Sequence, residues 1–420
     1  MPGEWEPHEA TWIAWPHNRT DWPGKFASIP WVYAEIVRHL TRVERVNILV
    51  NDERAEAAAR QVLVTAEVLP KSAIEPGSRS GKVKFWHIPT DRGWTRDTGP
   101  SFVVRRGLSP LAAIAWRFNA WAKYNDWKRD APVSAEVGRR LKVPTWQPEV
   151  EVDGALRRVV LEGGSIDVNG RGTLLTTEEC LLSKVQQRNP GVSREQLEKI
   201  FVDYLGIRKV IWLGSGIAGD DTHGHVDDIS RFVAPNVVIT AYEPDTSEDN
   251  HAPLLDNYRR LTKSTDQAGT ALRVIKLPMP TPVYFDGQRL PASYANFYIA
   301  NRLALVPVFN DPNDRVALNV IAGALPGRNR DTGLTEAELR PHRHVRLSLR
   351  LSQADGGNGH ASVLRVHLLS RPVSDAHGDA RSGIEEAAAG DHRPGEAGVR
   401  DDRPVSGHAA CAAKVAGSIR

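Results

Sequence analysis

The stretch "ISRFVAPNVVITAYEP", residues 229–244, decides the fold. Two runs of β-branched and aromatic residues flank Pro235 and Asn236, residues that favour a tight turn, so the stretch predicts a β-hairpin. The same reading applies to "SFVVRRGLSPLAAIAW" (101–116), "GSIDVNGRGTLLTTE" (164–178) and "NFYIANRLALVPVFND" (296–311). Their turn residues Gly107, Gly170, Asn236 and Asn301 are 63, 66 and 65 residues apart. Helix-like stretches such as "VSREQLEKIFVDYLG" and "HAPLLDNYRRLTK" lie between the hairpins. A repeat of this kind buries its faces only against neighbouring repeats, so the expected architecture is an α/β ring, propeller-like, of hairpin-plus-helix modules.

Strand ends of such a ring converge on its axis, and polar chemistry is expected there. Three acid-bearing segments occupy equivalent places ahead of successive hairpins: "WTRDTGP" (94–100), "LEGGSIDV" (161–168) and "GHVDDIS" (224–230). Asp97 in the first could accept paired hydrogen bonds from a planar cation, or could bond its own turn backbone. Glu162 precedes two glycines that let a ligand approach, although a solvated strand-end charge reads equally well. His225 and Asp227, two apart on what reads as an extended entry to a strand, should point the same way as an acid-base pair. Taken alone, the bland reading of a polar loop weighs as much; the shared register tips the balance.

A metal is the other reading of "THGHVDDIS" (222–230), because "HGHVDD" comes within one residue of a His-x-His-x-Asp-His hydrolase signature. Such a site needs further histidines at separate strand ends. Before the tail only His251 follows, so no metal and no cofactor is expected.

Composition narrows the class. With 41 % hydrophobic and 25 % charged residues, the 420-residue chain can bury a large core. A formal net charge of +3, scattered in sign, argues against nucleic acid or a membrane surface as partner, and no apolar run reaches the ~20 residues of a membrane span. No basic-then-apolar leader opens the sequence, which points to the cytoplasm. A small-molecule enzyme fits, and homo-oligomerisation is left open.

All 29 aromatic residues lie at or before Phe309. From Arg328 onward the chain carries thirteen Arg, one Lys and seven of the fourteen His. Residues 1–327 are therefore read as the folded domain and 328–420 as an atypical tail, either a natural disordered extension or the product of translation out of frame.

"EWEPHEATWIAWPHN", "WTRDTGP", "WRFNAW", "LEGGSIDVNGRGTLLTTEECLLS", "GHVDDISRF", "SYANFYIAN" and "VPVFNDPNDRVAL" resemble the agmatine deiminase family, related to bacterial peptidylarginine deiminases. The resemblance extends to about Gly327. It implies a pentein, a pseudo-fivefold α/β propeller, here with its last segment replaced by the tail. It also implies hydrolysis of a guanidinium such as agmatine to a ureido group and ammonia, a step of putrescine biosynthesis. Asp97 and Asp227 would grip the guanidinium together with Trp94, Glu162 would orient or relay protons, and His225 would be general acid and base. The family's nucleophile is a cysteine in a Gly-rich segment ending in His-Cys, followed by Thr-Gln-Gln. No such segment occurs here. Cys180 reads as core, and Cys411 has neither the glycines nor the Gln residues, so no nucleophile is identified. The remaining readings are a peptidylarginine deiminase, a guanidine-binding remnant without turnover, and a metallohydrolase. Loss of the last strand should also leave "ATWIAWP" (10–16) an unpaired edge.

Overall fold

A computed structural model describes residues 1–104, 111–325, 351–352, 362–366 and 417–419. Gly107, Cys411 and most of the tail lie outside these residues, and with them the expectation of a disordered or out-of-frame tail.

The protein is α/β, and one strand order recurs in five small sheets. The central strands are Ala10–Ala14, Leu111–Ile114, Thr173–Thr177, Val237–Tyr242 and Leu303–Pro307. Each has an antiparallel neighbour on one side and a parallel one on the other. In four sheets the antiparallel neighbour is the preceding hairpin strand: Ser101–Val104, Asp167–Val168, Ser230–Ala234 and Tyr298–Ala300. A parallel neighbour requires a crossover, and a helix supplies it each time: Ile29–Val43, Val133–Leu141, Arg194–Leu205, His251–Thr262 and Asn313–Ala324.

Helix Arg194–Leu205 shows how local sequence specifies these crossovers. Ser193 and Gln196 form a reciprocal capping box at its start, and Gly206, at φ 69°, closes its end in the left-handed conformation that glycine adopts without strain. Between the caps, Leu197, Ile200, Phe201 and Leu205 are buried at helical spacing against Leu174 of the adjoining strand. Burying an aliphatic or aromatic side chain of this size contributes about 1.5–3 kcal/mol.

Two expectations need correcting. The strand Ala10–Ala14 is not an open edge, because its residues Ala10, Thr11 and Trp12 pair antiparallel with Ile419, Ser418 and Gly417. The tail also supplies Ser362–Val366, parallel to Leu303–Pro307, and Leu351–Ser352 beside it. The approach to strand Ser230–Ala234 is not extended either. After His225 the chain makes the 3-10 turn Val226–Asp228, which sets the His225 and Asp227 side chains around a common point by turn geometry instead of strand alternation. Among the described residues no helix is long and apolar enough to cross a membrane.

Candidate active site

Three short helical turns, Thr95–Thr98, Gly163–Ser165 and Val226–Asp228, precede the strands beginning at Ser101, Asp167 and Ser230. Their side chains meet. Asp97, Glu162, His225 and Asp227 are each at most 3 % exposed. His225 Nδ1 lies 3.9 Å from Asp97 Oδ1 and 3.9 Å from Asp227 Oδ1, while Nε2 lies 3.6 Å from Glu162 Oε2. The register seen in the sequence is thus a register in space.

Asp97 does not bond its own turn. Its Oδ1 accepts the Gly164 N–H at 2.9 Å, and its Oδ2 accepts the Trp121 indole N–H at 3.0 Å. Trp121 reaches it from an uncommon backbone: Ala120, Trp121 and Ala122 all have positive φ, which costs on the order of 1 kcal/mol per residue without glycine. Asn119 steadies this turn by accepting the Ala122 N–H at 3.0 Å. Trp94 caps the turn that carries Asp97; it is buried against Trp22, and its indole N–H has no hydrogen-bond partner among the described residues.

Gly164 forms one wall. A Cβ added there would stand 2.5 Å from His225 Nδ1, 2.8 Å from Asp97 Oδ1 and 3.0 Å from Asp227 Oδ2. Any side chain at this position would displace these three groups.

Behind His225, Arg188 donates from Nε to Glu162 Oε1 at 3.2 Å. Burial pushes the Glu162 carboxyl up, but Arg188 and His225 beside it outweigh that and hold it at about 2. Arg188 is itself fastened to the carbonyls of Gln186 and Thr222. Cys180 is buried as expected of a core residue, yet its Sγ and the ligand atoms of Glu162 and His225 all lie within 4.8 Å of one another. Thr177 joins these parts, its hydroxyl donating to Gly224 O at 2.5 Å and accepting the Cys180 N–H at 3.0 Å.

The turn before His225 is tied by Asp220, whose carboxylate accepts the N–H groups of Thr222, Gly224 and His225. His223 lies off the centre, within 3.2 Å of Ser183 Oγ. His251 begins a helix, with Nδ1 at 2.8 Å from Glu243 O. Neither histidine accompanies His225 in the one group of potential metal ligands among the described residues, Glu162, Cys180 and His225.

Sequence reading misses the roles of Trp121 and Arg188, and takes Asp220 only as a possible metal-flanking acid rather than the tie of the turn before His225. Gly164, the second glycine in the "EGGS" of a register segment, reads as allowing close approach. Arg188, in "QQRNPG", sits in a loop and offers no periodicity.

Chemically the centre is a buried cluster of carboxylates around one imidazole. It suits a flat cation that can take two carboxylates and exchange a proton with a histidine.

Comparison with known proteins agrees. The family model of Porphyromonas-type peptidyl-arginine deiminases matches residues 1–330. An agmatine deiminase of Medicago truncatula is 35 % identical over 358 residues, covering 78 % of this chain and 88 % of that protein. One of Stutzerimonas stutzeri is 34 % identical, with the same coverage of 78 % and 88 %. The solved structure of the agmatine deiminase of Enterococcus faecalis superposes with a TM-score of 0.66 at 32 % identity, over 77 % of this chain and 87 % of that one. With a match over that length, the chain belongs to the Porphyromonas-type peptidyl-arginine deiminase family, hydrolases that act on the C–N bonds of guanidino groups.

Proposed function

We propose that this chain is built to bind agmatine in the manner of an agmatine deiminase, the cytoplasmic enzyme that converts agmatine and water to N-carbamoylputrescine and ammonia on the way to putrescine. The observation that carries the reading is the placement of Asp97 and Asp227 at equal distance from His225 Nδ1 around the bare backbone of Gly164. A guanidinium seated there would face two carboxylates and leave a nitrogen for His225 to protonate as it departs. Five sheets of one strand order support a closed pseudo-fivefold propeller of the pentein type, with this pocket on its axis. Agmatine is preferred to peptidyl arginine because the curated relatives compared above are agmatine deiminases.

Turnover is a separate matter. A resonance-stabilised guanidinium needs a strong nucleophile, which a thiolate provides by splitting the hydrolysis through a covalent thiouronium. Cys180 clusters with Glu162 and His225, and it is Nε2 of His225 that approaches Glu162, whereas the Asp97 and Asp227 carboxylates approach Nδ1. A guanidinium held by those carboxylates would be screened from Cys180 by the imidazole. We therefore read the chain as a guanidine binder without turnover. Calorimetry should show agmatine binding while ammonia release stays at background. Ammonia release insensitive to thiol reagents, or release lost on labelling Cys411, would overturn the second half; absence of binding would overturn the first.

A further inference from the structure

The cluster behind His225 is more than packing. Glu162, Cys180 and His225 offer an oxygen, a sulfur and a nitrogen within 4.8 Å of one another, all three residues being at most 1 % exposed. Oε1 of Glu162 is engaged by Arg188, but Oε2 stands 3.6 Å from His225 Nε2, beyond hydrogen-bond reach, and accepts no hydrogen bond from any described residue. A buried carboxylate oxygen left in this way is costly unless something else fills its coordination. In a tetrahedral zinc site, bonds of about 2.0–2.3 Å put neighbouring donor atoms roughly 3.4–3.7 Å apart. The oxygen–nitrogen edge is already at that length, and the sulfur needs to move in by about 1 Å to reach it.

We propose that Cys180 Sγ, His225 Nε2 and Glu162 Oε2 form a binding site for a soft divalent cation of the Zn²⁺ class, with a solvent molecule as fourth ligand. The ligand set differs from the His-x-His-x-Asp reading of the sequence, since neither His223 nor Asp227 takes part. Thiolate and imidazole select Zn²⁺ or Co²⁺ over Mg²⁺ or Ca²⁺, which prefer oxygen donors. A cation there would sit among acids: Asp97 and Asp227 stand 3.9 Å from His225 Nδ1 and Glu162 3.6 Å from its Nε2, with Arg188 on Glu162 and Arg96 within 3.6 Å of Asp227. Arg188 itself is held on Oε1 and on two backbone carbonyls, which leaves Oε2 open. A bound ion would take the imidazole lone pair needed for proton transfer. It would therefore act as an inhibitor of guanidine chemistry, a consequence that rests on the function proposed above, whereas binding does not. An ion and a guanidinium would also repel each other across one imidazole, so each should weaken the other.

Co²⁺ added to the full-length chain is the test, because a thiolate-to-cobalt charge-transfer band reports cysteine ligation and the tail histidines cannot produce it. The Cys411→Ser chain should develop the band and saturate at one equivalent. Adding Cys180→Ser should abolish it, and Glu162→Gln in the Cys411→Ser chain should weaken binding by at least about tenfold while the circular dichroism stays native. No thiolate band in the Cys411→Ser chain, or unaltered cobalt affinity in Glu162→Gln, overturns the site. Agmatine separates the two readings: a cobalt band with no calorimetric agmatine binding sinks the guanidine reading and keeps the metal site, and agmatine binding without any band does the reverse.

Discussion

Two buried ionic clusters lie side by side in this molecule and are built on opposite principles. In one, Arg231 donates from Nε to Asp167 Oδ2 at 2.6 Å and from Nη2 to Glu4 Oε2 at 2.7 Å, and Arg96 donates to the same Glu4 oxygen at 3.0 Å. Two cations and two carboxylates are in direct contact, which is what a charge removed from water requires. In the other, Asp97 and Asp227 stand 3.9 Å from a single imidazole, and Arg188 donates to Glu162. Arg96 reaches across from the balanced cluster to within 3.6 Å of Asp227 but hydrogen-bonds Glu4 instead. Direct ion pairing fastens the first cluster, whereas the second gathers its carboxylates around an imidazole. Stability and function should therefore respond in opposite ways to substitutions in the two clusters.

The largest effect is expected in the balanced cluster. Arg231→Met takes the guanidinium from Asp167, leaves Glu4 with Arg96 alone and frees the Phe297 carbonyl that Arg231 also serves, so urea unfolding should show a loss of about 3–5 kcal/mol. Asp97→Asn removes one of the crowded acids but keeps an acceptor for only one of its two partners, the Trp121 indole or the Gly164 N–H, so its loss should be about 1–3 kcal/mol, smaller than that of Arg231→Met. Equal losses in the two variants would collapse the distinction.

Binding should show the reverse order. Asp97→Asn and Asp227→Asn each remove one charge-assisted contact to a guanidinium and should weaken agmatine by about 2 kcal/mol, roughly thirtyfold. Arg231→Met, if folded at low temperature, should retain most of the affinity. Calorimetric affinity unchanged in both Asp variants would break the carboxylate clamp. Gly164→Ala sharpens the same point by sterics. Its methyl would stand 2.5 Å from His225 Nδ1, so agmatine binding should be lost for about 1–2 kcal/mol of stability.

How much of this was legible beforehand follows from what each feature depends on. Hairpin turns announce themselves locally, and three acid-bearing segments at one place in a repeat predicted a shared location that the distances around His225 bear out. The balanced cluster was invisible. Glu4, Arg96, Asp167 and Arg231 come from four distant segments and look like ordinary surface charges in sequence. Trp121 was quoted within a motif, but its indole reaches Asp97 only because three successive residues turn left-handed, which alanine and tryptophan do not advertise. The pairing of Ala10–Ala14 with Gly417–Ile419 joins residues about four hundred apart, and nothing in the composition of the tail suggested it.

The smallest effect separates the clusters by pH. Asp167 and Glu162 are both buried and both hydrogen-bonded by an arginine, yet they shift oppositely. Burial raises Asp167, and Arg231 beside it, shared with the like-charged Glu4, does not fully compensate, leaving it at about 6 against an ordinary 3.8. Glu162, with Arg188 to itself and His225 beside it, is held at about 2 against 4.5. An acid whose folded-state value is raised binds more protons when folded than when unfolded, so Asp167 should make stability fall as pH rises from 3.8 through 6. Glu162 has the opposite sign: its contribution is in place above 4.5 and is lost as pH falls toward 2. Between pH 5 and 7 Glu162 is therefore nearly silent, and Asp167 alone of the pair should tilt the curve, by about 1 kcal/mol over that range. His39, lowered to about 4 by burial and by Arg42 and Arg38, tilts it the other way, because a histidine kept neutral when folded adds stability as pH rises toward 6.5. The quantity to read is thus the difference between parent and Asp167→Asn, in which His39 cancels. The variant will be less stable overall for want of its full pairing with Arg231, but its deficit should be larger at pH 5 than at pH 7. A deficit independent of pH would mean that Asp167 is ionised throughout, and that the balanced cluster is more firmly compensated than its burial allows.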